Sequence, residues 1–101
     1  MCGVSGFLSS NENYFLGKKV IKSMTKSLNH RGPDNNDHWI NSDDFVALGH
    51  NRLSIIDLSS NGDQPMISSS GRFIISYNGE IYNHLELRQE LNKFKHIKWK
   101  S

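Results

Sequence analysis

"MCGVSGF" begins the chain and holds its single cysteine, Cys2. The thiolate is the reactive form of cysteine, and a free thiol titrates at about 8.5. Removal of Met1, common when the next residue is small, would leave Cys2 with a free α-amino group as well. Such an amine titrates at about 7.7–8.0, so an appreciable fraction is neutral at pH 7. Nucleophile and general base would then sit on one residue, as in enzymes that pair a threonine with its own N-terminal amine. The plain alternative is an inert, buried thiol, although burial is harder at a chain terminus.

Three further groups bear on chemistry. In "YNGEIYN", Asn78 has a side-chain amide donor, and the Gly79 amide is unobstructed by a side chain. Two such donors can stabilise a tetrahedral oxyanion. The same Asn-Gly pair between apolar runs is also the strongest short signal for a type I′ hairpin turn, and taken alone the stretch favours the turn. In "GHNRLSIID", Arg52 interrupts an apolar segment. It reads either as an ordinary salt-bridged arginine or as a bidentate grip on a carboxylate. The five histidines, His30, His38, His50, His84 and His96, show no recognised metal-ligand spacing, and there is no second cysteine to complete a zinc set. No metal site is expected. "KFKHIKWK" mixes bases with aromatics, but a solvated strand face explains it more simply than a nucleic-acid platform.

These residues need elements to position them. The 101 residues allow one domain, and 36% apolar with 22% charged residues describes a folded globular segment. A net charge of +2 gives no reason to expect nucleic acid or a membrane surface as partner. A lone cysteine makes no internal disulfide, and neither a signal peptide nor a membrane span is legible, so the expected compartment is the cytoplasm. "CGVSGFL" reads as a strand. A helix over about 13–29 follows, with Leu16, Val20, Ile21, Met24 and Leu28 on its apolar face. "NHRGPD" ends it, with Gly32 suited to a left-handed cap. "DHWIN" and "FVALGHNRLSIID" read as strands joined across "SDD", with Val46, Leu48 and His50 on one face. "LSSNGDQPM" is a loop of turn formers. "RFIISYNGEIYN" is a strand running into the Asn-Gly turn. Asn83 opens a helix over about 84–94, with Glu86 placed as in a capping box. "HIKWK" reads as one more strand. The expected class is α+β with antiparallel sheets.

In this order and spacing, "MCGVSGF", "HRGPD", "GHNRLSIIDL", "GDQPM" and "YNGEIYNHLELR" closely resemble the start of the glutamine-dependent asparagine synthetases. These are class II, N-terminal-nucleophile (Ntn) glutamine amidotransferases. The resemblance covers essentially the whole chain. It implies that Cys2 attacks the side-chain amide of glutamine. It implies that Asn78 and Gly79 form the oxyanion hole and that Arg52 holds the α-carboxylate. Leu53, Ser54, Ile55, Ile56 and Glu80 complete the glutamine pocket on the same grounds. The implied fold is part of a four-layer αββα sandwich.

The resemblance also implies what else would be needed. Residues 1–101 would be the N-terminal portion of an incomplete glutaminase domain. The aspartate segment that binds the glutamine ammonium in the family has no counterpart here. Ammonia would pass to a separate synthetase domain, where ATP, with Mg, activates aspartate or another carboxylate; no cofactor is expected in this segment itself. The resemblance leaves room for a homodimer of the full-length protein. The alternative is a truncated, non-catalytic relic or partner-binding fragment of the same fold.

Overall fold

The computed structural model describes residues 1–10, 14–41, 45–55, 57–94 and 97–99. Its centre is a three-stranded antiparallel sheet. β1 (Gly3–Leu8) and β2 (Asn35–Asn41) are the edges, and β3 (Val46–Arg52) runs between them. Gly3 pairs with Asn51, and Asn35 pairs with Arg52. This register brings the residue preceding β1 and the start of β2 together at the C-terminal end of β3. The central strand, "VALGHNR", begins small and apolar and ends polar, and its last four residues, Gly49 to Arg52, are all buried.

Helix α1 (Tyr14–Ser27) covers one face of this sheet. Side chains alternate along a strand. Ala47, Gly49 and Asn51 therefore face α1, while Val46, Leu48, His50 and Arg52 face the other way. The buried stripe keeps Ile21, Met24 and, just past the end of α1, Leu28 of the expected face, but not Leu16 or Val20. Ile21 and Thr25 are buried and Met24 and Leu28 half-buried, but Leu16 is 59% and Val20 44% exposed. Thr25 fits because its hydroxyl donates to the Ile21 carbonyl at 2.8 Å, which satisfies a polar atom inside the packing.

The "HRGPD" segment returns the chain from α1 to β2. Gly32 is not in a left-handed conformation; among the described residues positive φ occurs only at Phe45 and Gly71. It is glycine for room. A Cβ there would lie 2.4 Å from the Asn51 carbonyl oxygen. Asp34 then donates its N–H to the Arg52 carbonyl (3.0 Å) and accepts from the Ser54 N–H through Oδ2 (2.7 Å). That contact ends β3 at Arg52, well short of the expected strand through Asp57, since Ser54 bonds to a side chain rather than to a neighbouring strand. The "SDD" connection and the helix start at residue 13 lie outside the described residues.

Beyond β3, Ser60–Gly62 form a single 3-10 turn. β4 (Met66–Ile67) and β5 (Ile74–Ile75) make a short antiparallel pair. The expected long strand through "RFIISYNGEIYN" is only β5. The Asn-Gly stretch is no type I′ hairpin: neither residue has positive φ, and among the described residues no strand follows it. Helix α2 (His84–Phe94) starts where expected, its first turn closed by the Leu87 N–H on the Asn83 carbonyl (3.1 Å). None of its described side chains is buried. The expected strand "HIKWK" is absent at Ile97–Trp99; His96 and Lys100 lie outside the described residues. Instead Trp99 folds back on α2, donating to Asn92 Oδ1 (3.1 Å) beneath the Arg88 guanidinium, 4.6 Å from the ring centroid. The class is α+β with antiparallel sheets, and α1 on the three-stranded sheet forms its packed half.

Candidate functional site

The sheet face turned away from α1 carries the site. Cys2 stands beside the end of β3, one register step beyond the Gly3–Asn51 pair. Leu53 donates its backbone N–H to Cys2 Sγ at 3.3 Å. Arg31 donates Nε–H to the Cys2 carbonyl at 3.2 Å. Residue 2 is thus held at two points, its thiol by the turn after β3 and its backbone carbonyl by the "HRGPD" segment. This is what ties down a residue so close to a terminus.

Arg52 is 8% exposed and closes one end of the site. The loop after β3 wraps around its guanidinium. Nη1 donates to the Ser59 carbonyl (2.6 Å) and to Asp63 Oδ1 (2.7 Å), and Nη2 donates to the Asp57 carbonyl. Ser59 in turn accepts the Asn61 N–H, and Asp57 Oδ1 accepts the Ser59 N–H, so the wrapping loop is itself braced.

His50 is 2% exposed. Its Nε2 donates to the Tyr77 carbonyl at 3.2 Å, since a carbonyl can only accept. Nδ1 is then the lone-pair nitrogen, buried without a partner among the described residues. Burial pushes the imidazole below its ordinary value of 6.5; Arg52 pushes the same way, while the Tyr77 contact and Asp63 pull partly back.

Cys2, His50, Arg52, Leu53, Ile55, Asn78, Gly79 and Glu80 line one cleft of about 540 Å3. Of the residues singled out in the sequence, Ser54 is not on its wall; its N–H is turned to Asp34. Ile56 lies outside the described residues. Sequence reasoning passed over Arg31, Gln64 and Tyr77. Arg31 and Gln64 belong to "HRGPD" and "GDQPM", segments noticed as motifs without a role, and only their contacts across the fold show what they do. Among the described residues no three His, Cys, Asp or Glu side chains gather into a metal-binding group. No helix among them is long and apolar enough to cross a membrane.

The family model of the glutamine amidotransferase domain matches residues 1–101. The chain belongs to that family. It is 37% identical to asparagine synthetase [glutamine-hydrolyzing] 1 of Arabidopsis thaliana over 94% of its own length. It is 39% identical to putative asparagine synthetase [glutamine-hydrolyzing] 2 of Methanocaldococcus jannaschii over 91% of its length. With asparagine synthetase [glutamine-hydrolyzing] 3 of Bacillus subtilis it shares 36% identity over 95% of its length. It spans only 16% of the Arabidopsis and Bacillus proteins and 21% of the archaeal one. The amidotransferase domain is of the Ntn type, in keeping with the α+β architecture.

Proposed function

We propose that this segment carries the nucleophile, oxyanion donors and carboxylate anchor of a glutaminase that feeds ammonia to an asparagine synthetase-type reaction. The observation that carries the reading is that Cys2, Arg52 and Asn78–Gly79, scattered over 78 residues, line one cleft. Once the residue before it is removed, the Cys2 amine accepts the thiol proton. Sγ attacks the side-chain carbonyl carbon of glutamine. The Asn78 side-chain amide and the Gly79 N–H hold the resulting oxyanion. The ammonium form of the amine returns the proton to the departing nitrogen, ammonia leaves, and a thioester remains. Water, deprotonated by the same amine, hydrolyses it to glutamate.

Arg52 anchors the substrate α-carboxylate in this reading. Its own loop engages three N–H donors, through Ser59, Asp63 and Asp57. A guanidinium has five. Among the described residues two donors remain, enough for a carboxylate, and the wrapped loop fixes the plane of the fork. Leu53, Ile55 and Glu80 add to the wall. The ammonia then serves ATP- and Mg-dependent amidation of aspartate or another carboxylate on a separate synthetase domain.

The test is Cys2→Ala in the full-length protein. Glutamine-dependent synthesis should vanish, while synthesis from added ammonia persists. Retained glutamine hydrolysis in that variant would overturn the reading.

A further inference from the structure

We propose that Gln64 and Tyr77 are positioning residues that hold Asn78 and Gly79 in the geometry of an oxyanion hole, and so govern turnover rather than the binding of glutamine. This rests on the glutaminase reading and deepens it. The two proposed donors lie on an exposed stretch in no helix or strand. Donors of this kind act only when held at about 2.7–3.1 Å from the place where the oxyanion will form. A loop left to itself does not keep such geometry, so something must hold it.

Gln64 holds it from one side. Its Oε1 accepts the Tyr77 N–H at 2.6 Å, and its Nε2 donates to the Tyr77 carbonyl at 3.2 Å. One side chain thereby pairs with both backbone groups of the residue before Asn78, as a neighbouring strand would. His50 Nε2 shares the same carbonyl, and Ser76 donates its hydroxyl to the Gly49 carbonyl at 3.0 Å, which ties the segment to β3.

Tyr77 holds it from the other side. Its ring folds back over the stretch, and its hydroxyl donates to the Glu80 carbonyl at 3.3 Å. A Cβ on Gly79 would lie 2.6 Å from that hydroxyl oxygen, so the ring can lie there only because residue 79 is glycine. The Asn78–Gly79 pair is bridged by these contacts: backbone 77 is held by Gln64, and carbonyl 80 by Tyr77 itself. Gln64 and Tyr77 line the same cleft, but the polar atoms of Gln64 are engaged by the backbone of Tyr77 and the Tyr77 hydroxyl by the Glu80 carbonyl, which gives them a positioning part rather than one in bond making.

The experiment is steady-state glutaminase kinetics on the full-length protein with Gln64→Leu and Tyr77→Phe, and Cys2→Ala alongside. Deleting an oxyanion donor outright costs about 10²–10³ in kcat; misplacing it should cost less, roughly tenfold for Gln64→Leu and threefold for Tyr77→Phe, with KM changed less than twofold. The diagnostic probe is glutamate γ-semialdehyde, whose aldehyde becomes a tetrahedral alkoxide when a thiolate adds to it. Its inhibition should weaken by the same factor as kcat, while inhibition by glutamate, which forms no alkoxide, stays constant. Equal losses in kcat and KM, or equal weakening of both inhibitors, would overturn the proposal. If Gln64→Leu fails to fold, Tyr77→Phe, which removes a single oxygen atom, decides the matter by the same criteria. An active Cys2→Ala would overturn the glutaminase reading itself. A dead Cys2→Ala beside wild-type kcat in the two positioning variants would overturn this inference alone.

Discussion

Leu53 donates its N–H to the sulfur of Cys2 at 3.3 Å across 51 positions of sequence. Cys2, the proposed nucleophile, is therefore tied directly to the strand end that carries Arg52. Leu53 is the residue after β3, and the guanidinium of its neighbour is fastened to the loop from Asp57 to Asp63. Geometry at the sulfur is thus inherited from the ladder between β1 and β3, not from the terminus itself.

Arg31 supplies the second tether, at the Cys2 carbonyl. Arg31→Met should lower kcat/KM for glutamine about fivefold, because an exposed hydrogen bond of this kind is worth about 1 kcal/mol. The melting temperature should fall by no more than a few degrees. Steady-state kinetics with calorimetry check both, and an unchanged kcat/KM would remove Arg31 from the site.

The proposed donor and anchor roles separate kinetically. Asn78→Ala should lower kcat for glutamine hydrolysis by roughly 10²–10³ with little change in KM. Arg52→Lys should mainly raise KM, since a point charge replaces a planar fork. The opposite pattern in the two variants would mean that the roles are misassigned.

The Asp63 carboxylate pairs with Arg52 at 2.7 Å. Breaking a fully buried pair costs about 3–5 kcal/mol. The Asp63 side chain is 31% exposed, so water screens part of the loss. Asp63→Ala should therefore cost about 1–2 kcal/mol of stability. It should also raise KM for glutamine by freeing the fork to swing. Denaturant melts and kinetics test the pair of effects; a stable variant with normal KM would show that the wrapping loop does not orient Arg52.

Which parts of this were legible beforehand follows from the kind of signal. Cys2, Arg52, Asn78 and Gly79 raise a chemical question by residue type. Taken alone, however, the Asn-Gly pair reads as a turn and Arg52 as an ordinary arginine, and their roles come only from the resemblance of the motifs in order. Gln64, Tyr77 and Arg31 raise no such question. Gln64 and Arg31 bond to backbone groups 13 and 29 positions away and Tyr77 to the Glu80 carbonyl three residues on, and a backbone group leaves no mark on the sequence. The α1 stripe misled in part, for a related reason. Leucine and valine spacing favoured Leu16 and Val20, yet the sheet face opposite is small, and polar Thr25 could go inside by bonding to the Ile21 carbonyl. At Gly32 the expected left-handed cap gave way to a close approach to Asn51, which only the packed strands create.

His50 carries a pH dependence. Its folded value lies below the ordinary 6.5, chiefly because burial disfavours the cation. Below about 6.5 the unfolded chain then binds more protons at this site than the folded one. Stability from His50 is full above the unfolded value and is lost as pH falls toward the folded one. Thermal melts of the full-length protein from about pH 8 to 5.5 should decline at the acid end, and His50→Gln, which keeps a donor for the Tyr77 carbonyl, should flatten that decline. A decline of equal steepness in the variant would assign it to other groups.

The 101-residue chain on its own should be marginally stable and inactive. Among the described residues only Ile21 and Ala47 are fully buried hydrophobics. Helix α2 buries none of its described side chains, and Tyr82 and Phe94 are 94% and 88% exposed. Ordering costs about 1–2 kcal/mol per residue for the backbone alone, and so small a core offsets little of it. The chemistry points the same way. The cleft offers a nucleophile, two donors and a guanidinium, but none of its residues is assigned to the glutamine ammonium, so the substrate would be gripped at one end only and its amide poorly aimed. The measurement is ammonia release from glutamine by the purified chain, run beside a thermal melt after mass spectrometry has established that Met1 is gone. A broad, weakly cooperative melt with no release is the expected result. A sharp cooperative melt together with glutamine turnover would show that these residues fold and hydrolyse glutamine unaided, and the prediction would fail.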